Sequence, residues 1–270
     1  MLASLVTATT IQKSIARLTL NNAKKRNALS YGMLEQLQTH LKNIETNPDI
    51  RVVIIHANGP AFSSGHDLRE IRANTDSGSD DRPNDLLMNL CSSVMQTIVR
   101  LKKPVIAQVE GVATAAGCQL VASCDLAYAS NSAKFATPGV DIGLFCSTPA
   151  VALGRCVHRK HVMSMLLTGE MISAEKAERI GLINAVIDSD DGSTTTLDDE
   201  VLKIAKKIAS KSPKAIEIGK PLFYEQLEMP LDTAYQLASK TMIDNMNHDE
   251  AKEGIDAFLT KRTPNWSSKD

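Results

Sequence analysis

Val105-Ile106-Ala107-Gln108-Val109-Glu110-Gly111-Val112-Ala113-Thr114-Ala115-Ala116-Gly117-Cys118-Gln119-Leu120 is the stretch on which the fold of this chain turns. It opens as a short apolar run with β-branched residues, breaks at Gly111 and continues through small residues into Leu120 and Val121. This pattern predicts a buried strand, a turn and a buried helix. The helix begins among residues almost without side chains. Its first N–H groups, with the positive end of the helix dipole behind them, then face whatever lies in front. Such a terminus suits a phosphate, a carboxylate or a developing oxyanion. The same small residues also serve close packing of two elements, and this stretch alone does not separate the two readings.

A second stretch repeats the pattern. Val52-Val53-Ile54-Ile55 is another apolar run, and Ala61-Phe62-Ser63-Ser64-Gly65-His66-Asp67-Leu68 predicts a strand, a small-residue turn and a helix start. Two such turns can supply two converging backbone donors. Together these segments resemble the enoyl-CoA hydratase/isomerase, or crotonase, superfamily. The resemblance runs from Ile15 to Pro264 and takes in Lys25-Arg26-Asn27-Ala28-Leu29, Pro104-Val105-Ile106-Ala107, Gly111, Gly117, Cys124-Asp125, Leu167-Thr168-Gly169, Gly181-Leu182-Ile183 and Phe258-Leu259-Thr260-Lys261-Arg262. Its specificity lies in the order and spacing of these motifs.

The 270 residues, 43% hydrophobic and 23% charged, fit one α/β unit with a helical extension, neither disordered nor membrane-spanning. A net charge of -1 gives no general attraction to nucleic acid, so any anion site is local. Five cysteines (Cys91, Cys118, Cys124, Cys146 and Cys156) are odd in number and lack metal-ligand pairing, which predicts reduced thiols and no metal. Cys118 and Cys146 fall in segments expected to line the pocket and read as small buried apolar residues. His158 and His161 flank a helix start and have no partners at metal-ligand spacing.

Residues 1–12 carry neither a secretory apolar region nor an Arg-rich amphipathic presequence pattern and are expected to lie outside the core, which takes in 13–197, with a helical oligomerisation region at 198–270. Ala16, Leu18 and Leu20, alternating with Arg17 and Thr19, predict an edge strand. Met33, Leu34, Leu37, Leu41 and Ile44 predict a helix capped by Ser30. Residues 72–85 are polar and predict a mobile loop. Leu87 to Leu101 form an amphipathic helix, Leu126 to Ala129 a short strand, and Phe135 to Thr148 a loop-rich segment. The last third predicts helices at Ala174 to Arg179, Leu202 to Ile208, Pro213 to Leu227, Leu231 to Met246 and Glu250 to Leu259.

The resemblance implies a spiral of ββα units with a C-terminal helical region that makes trimers or dimers of trimers. It also implies an acyl-CoA ligand, no further cofactor and a mitochondrial location, with any presequence outside these residues. It places an oxyanion hole at the backbone amides of His66 and Ala116, and coenzyme A contacts at Lys25, Arg26, Ala28, Ser64, His66, Asp67, Leu68, Ala116, Phe258 and Lys261, with Lys24 and Arg262 as further basic candidates. The family's two hydratase glutamates fall at Gln119 and Gly139. A glutamine amide does not exchange protons near neutral pH and glycine has no side chain, so ordinary hydration is expected to be lost or very slow. Asp141 and the His66 imidazole are the substitutes weighed for proton transfer. Asp141 reads more readily as an Asp bonded to its own turn. Three roles remain open: an acyl-CoA enzyme of different chemistry (thioester hydrolysis, decarboxylation or isomerisation), an acyl-CoA binder without turnover, and an assembly subunit.

Overall fold

The computed structural model describes residues 4–76, 83–187 and 196–266. Two sheets lie at its centre. The larger runs in the order β1 (Val6–Ile11), β2 (Ile15–Leu20), β3 (Val52–Ala57), β5 (Val105–Val109), β7 (Leu126–Ser130), β10 (Ala185–Ile187). β1 and β2 are antiparallel, and all other neighbours are parallel. The smaller holds β4 (Ala61–Ser63), β6 (Val112–Thr114), β8 (Lys134–Ala136) and β9 (Ile172–Ser173). Each of three successive passes of the chain gives one strand to the large sheet, one to the small sheet and then a helix: β3, β4 and α2 (Leu68–Asp76); β5, β6 and α4 (Ala116–Ser123); β7, β8 and, after a 3-10 turn at Pro138–Ile142, α5 (Ser147–Cys156). This is the expected ββα spiral.

Registers fix its functional consequence. Ala61 pairs with Val112 and Val112 with Lys134, so the parallel strands β4, β6 and β8 end at one level. Ser64–Asp67, Ala115–Ala116 and Thr137–Gly139 therefore leave the sheet side by side, at the carboxyl ends where open α/β sheets place ligands.

One face of the large sheet packs on α1 (Tyr31–Thr46), whose Met33, Leu34, Leu37 and Leu41 are fully buried, and on α3 (Pro83–Arg100) through Leu87, Val94 and Ile98. Ser30 caps α1 by accepting from Met33 N–H at 3.3 Å. The other face carries Ile15, Val52, Ile54 and Ile106 against α8 (Leu197–Ala209). α6 (Arg159–Thr168), with His158 at its N-cap, and α7 (Ala174–Arg179) follow α5. The chain ends in α9 (Pro213–Gln226), α10 (Leu231–Asn247) and α11 (Asp249–Leu259). Among the described residues no helix is long and apolar enough to cross a membrane.

Four expectations need correction. Residues 6–11, taken as lying outside the core, form the edge strand β1, because Thr and Val suit an extended, half-exposed chain and six residue pairs join it to β2. β2 is consequently interior. The predicted loop at 72–85 is helical at both ends: α2 runs to Asp76 and α3 starts at Pro83, where proline's missing N–H costs nothing. Asn84 ties the two helices by donating to Ile71 O at 3.3 Å and accepting from Asn74 at 3.0 Å; residues 77–82 of that expectation lie outside the described residues. Finally, α8 begins at the boundary drawn at 197/198, yet its Leu197, Val201 and Ala205 pack on the large sheet, so the helix belongs to the core layer.

One buried ion pair joins the core to the C-terminal helices. Lys220 of α9, 7% exposed, donates to Asp125 Oδ2 at 2.7 Å and to the carbonyls of Ile98 and Lys103. Tyr224 Oη donates to Asp125 Oδ1 at 2.9 Å, and Val105 N–H to Oδ2 at 2.6 Å. Burial pulls both charged groups toward neutrality, lifting the Asp125 carboxyl and lowering the Lys220 ammonium, while their contact opposes both shifts.

Candidate functional site

The turn after β4 is built around Asn27, a fully buried residue at φ +51°. Its side chain accepts from Asn22 N–H at 2.7 Å and donates to the carbonyls of Asn58 at 2.9 Å and Ala61 at 2.8 Å. Ser63 Oγ donates to Asn27 O at 2.9 Å, and Ser64 N–H to Arg26 O at 3.0 Å. The segment Lys25–Leu29 is thus the brace that fixes Ser63–His66.

Peptide geometry then sets the direction of the two candidate donors. In a trans peptide the C=O and N–H point opposite ways. Gly65 O accepts from Leu29 N–H at 2.7 Å, so His66 N–H points away from Leu29. Ala115 O accepts the first bond of α4, from Gln119 N–H at 3.0 Å, so Ala116 N–H points out of the helix N-terminus. Among the described residues neither N–H donates to another group of the chain. The two turns touch: a Cβ on Gly65, which sits at φ +83°, would lie 2.9 Å from Ala115 Cβ and 3.2 Å from Ala116 N. A Cβ on Gly117 would lie 2.3 Å from Ser63 O. Ala115 itself sits at φ 51°, ψ -120°, a backbone state that costs a side-chain-bearing residue on the order of 1–3 kcal/mol and that clusters at functional sites. Its N–H donates to Ala136 O at 2.9 Å, which brings the end of β8 alongside.

The side chains of these turns are largely locked. His66 Nδ1–H donates to Leu29 O at 3.0 Å, leaving Nε2 as the lone-pair nitrogen, buried and unpartnered. Burial lowers its pKa, so the ring is neutral at physiological pH. Gln119 is 4% exposed and its Oε1 has no partner. Three residues on from Ala116, it shares that residue's helix face. Thr137, fully buried, likewise has an unpartnered Oγ1.

At Gly139 the place of a side chain is already taken. A Cβ there would lie 2.6 Å from Leu144 O and 2.9 Å from Cys146 Sγ, because Leu144 N–H folds back to Gly139 O at 2.9 Å. Asp141 is exposed, and its carboxylate lies 3.1–3.2 Å from where a Cβ on Gly169 would sit. It is packed against the C-cap of α6.

The predicted coenzyme contacts divide into two groups. Lys25, Arg26, Ala28, Ser64, Asp67 and Leu68 surround the β4 turn. Lys25 Nζ lies 2.8 Å from Asp67 Oδ2, an ion pair that holds the Asp67 carboxyl below the usual range, and Asp67 Oδ1 accepts from Arg69 N–H at the start of α2. Phe258 and Lys261 are elsewhere. Phe258, 82% exposed, lines a groove of about 390 Å³ with Ile255, Leu259 and Trp266 between the C-terminal helices. Arg262 is engaged by Glu253 at 2.6 Å and Asp256 at 2.5 Å. Sequence reasoning missed Asn27, Ala115 and Thr137: only Asn27's buried bonds, the backbone angles of Asn27 and Ala115 and Thr137's unpartnered buried hydroxyl reveal them. Among the described residues no group of three or more His, Cys, Asp or Glu is placed to hold a metal.

Comparison with known proteins agrees with this architecture. The sequence model of the enoyl-CoA hydratase/isomerase family matches residues 10–269. The chain is 49% identical over 263 residues to the mitochondrial enoyl-CoA hydratase domain-containing protein 3 of Rattus norvegicus, covering 97% of this chain and 84% of the relative. The crystal structure of the human enoyl-CoA hydratase domain-containing protein 3 superposes with a TM-score of 0.89 at 46% identity, over 97% of this chain and 100% of that one. An enoyl-CoA hydratase structure from Mycobacterium smegmatis gives 0.91 at 44% identity, over 98% and 99%. The chain belongs to the enoyl-CoA hydratase/isomerase family.

Proposed function

We propose that this protein binds acyl-CoA thioesters and stabilises the enolate form of the thioester carbonyl with the amides of His66 and Ala116. The single observation that carries the reading is the contact of Gly65 with Ala115 and Ala116, which sets two donor-bearing turns side by side at the carboxyl ends of adjacent parallel strands. Two oriented donors in a dry site lower the cost of an enolate by several kcal/mol. Lys25 and Arg26 are assigned to the coenzyme phosphates. Phe258 and Lys261 are assigned to a neighbouring subunit's ligand in a homotrimer or dimer of trimers, a role consistent with the exposed Leu231, Tyr235, Phe258 and Leu259 on the C-terminal helices. The mitochondrial names of the relatives support a mitochondrial location, and we assign the protein to fatty-acid metabolism there.

Ordinary hydration is expected to be very slow or absent. It needs carboxylates to move protons at the positions held by Gln119 and by Gly139, whose side-chain space is filled by its own loop. A different enolate chemistry is the second reading, and the buried lone pair of His66 Nε2 favours it over one routed through Asp141, which packs on Gly169.

The test is a panel of saturated and unsaturated acyl-CoAs incubated with the protein in D2O and followed by mass spectrometry and calorimetry. The expected result is saturable binding without 3-hydroxyacyl product. Deuterium entering Cα, and lost in His66→Gln, makes the protein an enzyme with His66 as its base. Failure to bind any of the panel refutes the proposal in favour of an assembly subunit.

A further inference from the structure

Cys146 stands where the family's second glutamate has gone. The Cβ that Gly139 lacks would begin 2.9 Å from Cys146 Sγ. Cys146 is also the N-cap of α5, where the helix dipole favours negative charge. The neighbouring α4 packs on α5 and carries Gln119, nine-tenths buried, with its Oε1 unpartnered, on the helix face it shares with Ala116. The thiol beside Gly139 and the two free amides thus belong to neighbouring turns at the ends of the adjacent strands β4, β6 and β8. Burial keeps the thiol protonated at rest, so any reaction at the sulfur is slow.

We infer that Cys146 captures α,β-unsaturated acyl-CoA thioesters covalently, by conjugate addition. This rests on the acyl-CoA site proposed above. The sulfur lone pair forms a bond to Cβ of the enoyl group. The Cα=Cβ π pair moves toward the carbonyl, and the resulting enolate oxygen is held by the His66 and Ala116 amides. The thiol proton ends on Cα, so the product is a thioether that retains the complete coenzyme. No oxidant, metal or further reactant is required. Water performs the same bond changes in a hydratase; here sulfur replaces it, because Gln119 and Gly139 stand where the two water-activating carboxylates would.

Purified protein is incubated for hours with but-2-enoyl-CoA or with butanoyl-CoA, quenched in acid and weighed intact by mass spectrometry, followed by peptide mapping. The expected result is a mass increase equal to whole but-2-enoyl-CoA, mapped to Cys146, abolished in Cys146→Ser and in Cys146→Ala, and retained in Cys156→Ser. Butanoyl-CoA, which lacks the double bond, binds by calorimetry, leaves no adduct and slows its formation. An adduct of the acyl group alone is transthioesterification and overturns the inference, as does an adduct that persists in both Cys146 variants. Binding of butanoyl-CoA with no adduct from but-2-enoyl-CoA overturns it while leaving the acyl-CoA site intact. Absence of binding by both removes the site and the inference together.

Discussion

Gly117→Ala tests the geometry of the site without touching a polar side chain. The added Cβ would lie 2.3 Å from Ser63 O and 2.8 Å from Ser63 Cβ, where ordinary contacts need about 3.5 Å. The end of β4 and the start of α4 must therefore separate by about 1 Å. Oxyanion donors act at roughly 2.7–3.1 Å, so a shift of this size takes one of the two out of range. Loss of one donor costs about 3 kcal/mol, on the order of a hundredfold. The assay is the near-ultraviolet enolate band of acetoacetyl-CoA titrated with protein at a pH where the free ligand is mostly ketone. The native chain is expected to raise the band and Gly117→Ala to depress the enolate equilibrium about a hundredfold, with a stability loss of about 1–3 kcal/mol from overpacking. Gly154→Ala, at an exposed point of α5 with open space around it, is the control, expected to leave the band unchanged and to stabilise the helix by up to about 1 kcal/mol. A folded Gly117→Ala protein with an undiminished band refutes the two-turn assignment.

Asp125→Ala strands the buried Lys220 ammonium and is expected to cost about 3–5 kcal/mol, with Lys220→Met in the same chain recovering most of it in thermal unfolding. Burial holds the His66 and His56 imidazoles below their ordinary 6.5, so the unfolded chain takes up protons first. Their contribution to stability is full above about pH 6.5 and is lost as pH falls; denaturant melts at a series of pH values should show that slope, and His66→Gln should flatten it. Gly139→Glu, which drives a Cβ into Leu144 O, is expected to destabilise by about 1–3 kcal/mol and to leave hydration unrestored even when combined with Gln119→Glu, as followed by 3-hydroxyacyl product. Analytical ultracentrifugation at micromolar concentration should find three or six chains, and Phe258→Asp should lower that mass; a native monomer refutes the assembly.

Much of the fold was legible because its periodicities are strong. Val105–Val109 and Val52–Ile55 are uninterrupted buried runs, and the helix at Met33 to Ile44 repeats with a clear cap. β1 was missed because Thr-rich Val6–Ile11 alternates too weakly to signal a strand. Arg72–Asp76 was missed because a helix whose residues are all at least partly exposed shows no apolar stripe. β6 was folded into a turn because three residues between Gly111 and Ala115 carry no readable period. In the candidate site, the glycines at 65 and 117 announced close approach, whereas positive φ at Ala115 and Asn27 had no composition signal. The filled space at Gly139 could not be read at all, since it depends on Leu144 and Cys146 returning from later in the chain.

Because both proposed donors are main-chain N–H groups, no substitution at His66 or Ala116 other than proline deletes them. The positions that can silence the site are chemically mute neighbours: Gly65, Gly117, Ala115 and the bracing Asn27. If the two amides bind a carbonyl as proposed, side chains that move protons can be exchanged or lost one at a time while that frame survives, and a lineage can drift between reactions on one ligand class without passing through an empty pocket.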